Sequence, residues 1–200
     1  GHRIVTMRFM FERESMTTFN LLIKDLSRNQ DVSREDAFSK VFKDSLQVYF
    51  TTPKGWSLAS TCEVLPPNEW GTPEITVVAT LSAAEPSVIP YDAELQGDGF
   101  DTNAPIVKVV HKNKDTIYSY SFLKELQLKR VYIDIDVKGM KQLKLSTDLG
   151  ALNSSVPFQP FGPVPRVGSY MLIGKAELFK KEITDVQLNI NWHNIPDNKK

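Results

Sequence analysis

Hydrophobic and polar residues alternate along several stretches of this chain, and the alternation is clearest in "RVYIDIDVKG" at residues 130–139. One set of alternate positions is apolar and comprises Val131, Ile133, Ile135 and Val137. The other set is polar and comprises Tyr132, Asp134, Asp136 and Lys138. Because successive side chains of a strand point to opposite faces, this pattern predicts a β-strand with one apolar face.

The same period of two predicts further strands along the chain, at residues 5–11, 46–52, 74–81, 105–112, 142–150, 169–179 and 185–192. Pro53 to Gly55 have the composition of a tight turn, so residues 56–60 are predicted to return as the second strand of a hairpin. In the last stretch, "DVQLNINW", the pattern places Trp192 on the buried face.

Helical patterns are fewer. After Ser33, which is a suitable N-cap, Phe38, Val41 and Phe42 recur at helical spacing, and we predict a short helix over residues 34–45. Residues 16–30 are compatible with either a strand or a short helix. Residues 117–126 have the composition of a helical turn.

Many short strands with little helix between them predict a mainly all-β chain, an antiparallel β-sandwich of about eight strands with one or two short helices. We expect residues 1–200 to form a single domain. Residues 1–30 are also compatible with a neighbouring element. Because the chain opens at Gly1, without an initiator Met and already in strand-like alternation, we expect it to be part of a larger protein.

Composition narrows the function classes. The 24 basic residues balance the 24 acidic ones, which disfavours nucleic-acid or membrane-surface binding by bulk charge. No apolar run is long enough to predict a membrane span. The single cysteine, Cys62, cannot form an internal disulfide, and it has no base nearby in sequence, so we interpret it as an unreactive thiol.

Residues with catalytic or metal-binding potential are present but do not form a recognisable motif. Asp134 and Asp136 share one strand face and are a candidate carboxylate pair, although alternation alone also produces such pairs. The loop containing Asp92, Asp98 and Asp101 lacks the ligand spacing of an EF-hand. The histidines, at positions 2, 111 and 193, lack zinc-site spacing. We therefore expect no enzyme activity, no metal and no cofactor.

Tryptophan residues raise one alternative function. Trp56 and Trp70 lie near predicted loops and are able to form a stacking platform for sugars. A carbohydrate-binding β-sandwich for surface recognition is therefore the alternative that the sequence leaves open.

The segment "PFQPFGPVPRVGS" at residues 157–169 is unusually rich in proline, phenylalanine and glycine. Together with "DLGAL" before it and "YMLIGKAELF" after it, this string resembles a recurring motif of baseplate J-like wedge proteins. That family belongs to phage-tail-like contractile injection systems of the antifeeding-prophage and Photorhabdus-virulence-cassette type. The resemblance covers roughly residues 85–196 and is weaker before them. Its matching positions outside the proline-rich segment include Asp148, Gly150, Leu152, Ile173, Gly174, Glu177, Phe179, Trp192, Ile195 and Pro196. The second residue of the family's aromatic pair is replaced by Met171.

The resemblance implies a structural module that acts by protein–protein contacts with other baseplate subunits, namely wedge, hub and sheath-proximal proteins. It implies assembly in a bacterial cytoplasm, followed by incorporation into the particle. The sequence leaves the oligomeric state of the isolated chain open, with a monomer as the simplest case.

Four aromatic residues near predicted loops are the candidate interface anchors: Phe158, Phe161, Tyr170 and Trp70. The prolines of the 157–169 segment restrict the backbone to extended conformations, so we expect a stiff connection. Such a segment suits either a rigid interface or a well-packed crossover within one domain.

Overall fold

The structure is a computed structural model of the chain. It describes residues 1–97, 99–112, 118–140, 143–175 and 183–193. The chain divides into two compact units, Gly1–Gly139 and Met140–Lys200. This division does not test the expectation of a single domain, which stays a prediction.

The described residues contain four helices and ten strands, arranged in three antiparallel sheets. The helices are α1 (Arg13–Gln30), α2 (Arg34–Phe42), α3 (Ala93–Gln96) and α4 (Tyr118–Leu123). The strands are β1 (His2–Phe11), β2 (Leu46–Thr52), β3 (Gly55–Leu58), β4 (Thr61–Leu65), β5 (Glu74–Leu81), β6 (Val107–His111), β7 (Leu128–Lys138), β8 (Lys144–Thr147), β9 (Gly150–Leu152) and β10 (Met171–Gly174). The prediction of a mainly-β fold is confirmed.

The first unit contains two sheets that share one buried core. The larger sheet has the order β4-β5-β1-β7 and the smaller has the order β3-β2-β6. Val5 and Met7 of β1 and Val77 of β5 pack in one cluster with Val48 and Phe50 of β2. Burial of these apolar side chains from both sheets is the main force that holds the sheets together.

The helices cover the other end of the same sheet face. Residues 75, 77, 79 and 81 of β5 alternate inward, and Ile75 joins a cluster formed by α1, α2 and α4. Aromatic rings fill this cluster, with Phe38 and Phe42 having centroids 4.6 Å apart and Phe19 packing against both. Offset and edge-to-face contacts of this kind add to the stabilisation from burial.

Helix α1 resolves the ambiguity of residues 16–30, because it runs for 18 residues from Arg13 to Gln30. Its buried positions include Met16, Phe19 and Ile23, which lie one helical turn apart on one face. The two threonines and the exposed Leu21 and Leu22 between them obscured this period in the sequence. The fold therefore contains more helix than the one or two short helices that the sequence predicted.

Helix α2 ends at Phe42, three residues before the predicted end at residue 45. The predicted N-cap is confirmed, because the Ser33 side chain accepts a hydrogen bond from the backbone N–H of Asp36 at 3.0 Å. The predicted hairpin is also confirmed, with Thr52 paired to Gly55 across a two-residue turn. Gly55 has a φ of +89°, a conformation that glycine adopts without strain.

The second unit contains the small sheet β10-β8-β9. The prediction of a strand over residues 185–192 is wrong, because this segment is hydrogen-bonded to no strand of the described chain and its alternate apolar residues are exposed. Trp192, predicted to be buried, is 62% exposed. Alternation indicates which face a strand would bury, but strand structure also needs a partner strand. The part of the predicted 169–179 strand after residue 175 lies outside the described residues.

Candidate functional site

Trp70, one of the four predicted anchors, packs within the first unit. Its indole N–H donates a hydrogen bond to Oε1 of Glu35 at 2.9 Å, and its ring packs edge-to-face against Phe38 with centroids 6.2 Å apart. The guanidinium carbon of Arg34 lies 5.9 Å from the ring centroid. Asn20 also donates to the Trp70 backbone carbonyl. These contacts fix Trp70 at the rim of the helical cluster.

The other three predicted anchors lie in the second unit and are exposed. Phe158 is 38% exposed, Phe161 is 42% exposed and Tyr170 is 49% exposed. All three therefore present aromatic surface to solvent in this chain. Their role as interface anchors stays a prediction.

The proline-rich segment contacts the turn between β8 and β9. Gly162 has a φ of +74°, and a Cβ at this position would lie 2.7 Å from Cδ1 of Leu149. Leu149, Gly162 and Pro163 are among the residues that line a small cavity of about 190 Å³. Two turns stiffen the segment: the N–H of Gly162 donates to the Gln159 carbonyl, and that of Ser169 donates to the Arg166 carbonyl. The segment is thus both packed against its own unit and exposed on its other side.

The second unit exposes most of its apolar side chains. Among its described residues, Leu145 is the one large hydrophobic side chain that is buried. The exposed ones are Leu149, Val156, Phe158, Phe161, Val164, Val167, Tyr170, Leu172, Ile183, Val186, Leu188, Ile190 and Trp192. Soluble chains rarely leave this much apolar surface exposed unless another protein surface covers it.

A second apolar surface lies on the first unit, on the strand whose apolar face the sequence predicted but whose exposure it did not. Val131, Ile133 and Ile135 of β7 are opposite Phe9, Met7 and Val5 of β1, on the core face of the larger sheet. The side chains of Val131, Ile133 and Ile135 are nevertheless 36%, 51% and 59% exposed, respectively. The reason is that the smaller sheet and the helices pack over β1 and β5 and leave β7 uncovered. We call these three residues the β7 apolar row.

The candidate carboxylate pair lies on the opposite, solvated face of β7. Asp134 forms an ion pair with Arg8 at 3.4 Å, and Asp136 forms one with Lys138 at 3.3 Å. Neither aspartate lines the small cavity beside Gly162 or the open cleft at the start of α1. This arrangement places the two carboxylates against cations and water, and it does not bring them together on a ligand-sized site.

Other residues with potential chemistry are also separated. Asp92 caps α3 by accepting from the N–H of Glu94 at 2.9 Å, whereas Asp98 lies outside the described residues. The ring nitrogen Nε2 of His111 is 2.9 Å from Oγ of Ser119. In the part of the chain that the structure describes, no group of three or more His, Cys, Asp or Glu could hold a metal ion. Within the same part, no helix has the length and hydropathy that crossing a bilayer requires.

The tryptophan residues do not share a platform. Trp56 lies on β3, where Nζ of Lys108 is 4.1 Å from its ring centroid and its indole N–H donates to the Gln96 carbonyl. Trp70 belongs to the helical cluster. A sugar that stacked on the face of Trp56 that Lys108 covers would have to displace the lysine ammonium group. Carbohydrate binding stays a prediction.

An open cleft of about 960 Å³ lies in the first unit where α1 begins beside β7. Glu12, Arg13, Lys129, Arg130 and Tyr132 are among its lining residues, and Lys129 pairs with Glu12 at 3.7 Å. Its acidic and basic side chains are intermixed, so charge selects no ligand class. Sequence reasoning missed the cleft because its walls come from separate stretches of the chain.

No protein-family model and no curated protein sequence matches this chain.

Proposed function

We propose that this chain is a structural module of a baseplate wedge protein in a phage-tail-like contractile injection particle, and that it acts by protein–protein contact. The observation that carries the proposal is the exposure of apolar side chains throughout the second unit, in the stretch where the chain resembles baseplate J-like proteins. A unit that buries so little gains little stabilisation from its own core and gains more when neighbouring subunits cover it.

The proline-rich segment supports the same proposal. Its prolines and its two turns reduce the conformational entropy that the segment loses when it is bound, so rigid aromatic side chains contribute more of their burial energy to affinity. Phe158 and Phe161 are the proposed anchors, and Tyr170 directly follows the segment that carries them. The partners that this function requires are other baseplate subunits, and assembly takes place in the bacterial cytoplasm.

The test is replacement of both phenylalanines, F158A/F161A, in the full-length protein, in cells that produce the complete particle. We expect at least a tenfold loss of assembled particles, counted by electron microscopy, because two aromatic anchors of about 2 kcal/mol or more each are removed. The matched control is F100A/Y120A, which removes two exposed aromatic rings from the first unit. Normal numbers of contractile particles from the F158A/F161A cells would refute the proposal.

A further inference from the structure

Strand β7 is an edge strand with unusual exposure. It ends the order β4-β5-β1-β7, so among the described strands it pairs only with β1. Ten of its 11 residues are exposed. Its outer backbone N–H and C=O groups are thus open to another strand, and the β7 apolar row lies beside them. Proteins usually shorten, cover or block such an edge.

The charges of β7 are distributed asymmetrically along the strand. Lys129 and Arg130 lie near its beginning, whereas its second half holds Asp134 and Asp136 and ends at Lys138, which pairs with Asp136 of the same strand at 3.3 Å. When two copies of such a strand pair antiparallel, the basic first half of each lies against the second half of the other, where the two aspartates outnumber the one lysine. A parallel arrangement would instead place like charges side by side, which is unfavourable.

We propose that β7 pairs antiparallel with β7 of a second copy of this chain, joining the two four-stranded sheets into one continuous eight-stranded sheet across a two-fold axis. The axis passes beside Ile133. In this register Arg130 lies opposite Asp136 of the second copy, and Tyr132 lies opposite its Asp134. Charge complementarity selects the second copy as the occupant of the edge.

The faces of the sheet restrict the register. Directly opposed residues of an antiparallel pair project from the same face of the sheet. The apolar residues of the two copies therefore lie opposite one another only when the two-fold axis passes beside a residue. With the axis at Ile133, the two copies of the β7 apolar row form one continuous strip, because Val131 meets Ile135 and Ile133 meets Ile133. An axis beside Asp134 would oppose two aspartates and place Arg130 against Lys138. Closed, isologous contacts of this kind are the commonest in symmetric dimers.

Charge reversal tests the register directly. We expect the unmodified chain to show a concentration-dependent monomer–dimer equilibrium in sedimentation velocity, weakened by added salt. R130D and D136R each replace two attractive pairs per dimer by two repulsive ones, so each should raise the dimer dissociation constant about tenfold or more. The double variant R130D/D136R restores two attractive pairs and should recover dimerisation.

Mixing supplies an independent readout. R130D and D136R, each monomeric alone, should form a heterodimer when combined, because every cross-strand pair at positions 130 and 136 is then between opposite charges. I133K should abolish dimerisation without lowering the melting temperature, since the Ile133 side chain is half exposed in the single chain. L21K, a lysine at an exposed leucine of α1, is the matched control and should dimerise normally.

Three results would overturn the proposal. One is a chain that stays monomeric at every concentration tested. Another is a dimer that survives I133K. The third is that the single variants R130D and D136R weaken the dimer, but neither the double variant nor the mixture restores it. That result would assign the contact to another register or another surface.

Discussion

Trp70 and Glu35 are joined by a hydrogen bond of 2.9 Å from the indole N–H to Oε1 of the carboxylate. The contact ties the loop between β4 and β5 to the first turn of α2, across 35 residues of sequence. The donated hydrogen bond stabilises the charged form of Glu35, and it is the main reason that the pKa of this carboxyl is lowered from 4.5.

This shift predicts a pH dependence of stability. The folded-state pKa of Glu35 lies below its unfolded value, so the stabilisation is complete above about pH 4.5 and is lost as the pH falls through the folded-state pKa. W70F keeps a large aromatic ring but removes the donor. We expect the melting temperature of W70F to fall below that of the unmodified chain at neutral pH, and the difference to shrink in strong acid.

The control is W56F, whose lost N–H donates to the Gln96 carbonyl, which does not titrate. Its melting temperature should fall by a similar amount at both pH values. A W70F deficit that is equally large in strong acid would show that the ring's packing, and not the Glu35 contact, is what matters.

From the burial and contacts of Phe38, we expect the first unit to be most sensitive to mutation at this position. Its side chain is fully buried and contacts three other aromatic rings, those of Phe19, Phe42 and Trp70. F38A should lower the free energy of unfolding by about 3–5 kcal/mol, because the change removes apolar contacts and leaves a cavity. Chemical denaturation at 25 °C is the measurement.

The companion variant for F38A is L21A, which truncates an exposed leucine of α1 and should change the free energy of unfolding by about 0.5 kcal/mol or less. If F38A prevents folding altogether, F38L should give a measurable, intermediate loss. Equal losses for F38A and L21A would contradict the assignment of the helical cluster as a core.

Cys62 is predicted to react slowly. Burial raises the pKa of its thiol above 9.0, with a smaller contribution from the charge of Glu63, so the thiolate fraction at neutral pH falls and access is also restricted. We expect a thiol reagent at neutral pH to label Cys62 at least tenfold more slowly than an exposed cysteine of the same chain. C62S/S87C, which moves the thiol to an exposed loop position, provides that reference. Equal labelling rates would show that Cys62 is accessible.

Local patterns were sufficient for much of the first unit. Alternation predicted β1, β2, β5, β6 and β7, because the apolar residues of each strand occupy alternate positions and therefore identify its apolar face. Ser33 predicted the start of α2 because an N-cap acts on backbone groups only three residues away. These signals are short-range, so they are readable without knowing what the segment packs against.

Tertiary structure decided which of the predicted apolar faces are buried. The alternation of β7 is as regular as that of β5, yet β5 is covered by helices and a second sheet, whereas the β7 apolar row is exposed. Residues 185–192 show the same limit, since their pattern specifies a face but not a partner strand. The amphipathic pattern of a strand belongs to the strand itself, whereas its burial depends on how far neighbouring elements extend over it. Only the assembled fold determines that extent, and for this reason the exposure of the β7 apolar row could not be found from the sequence alone.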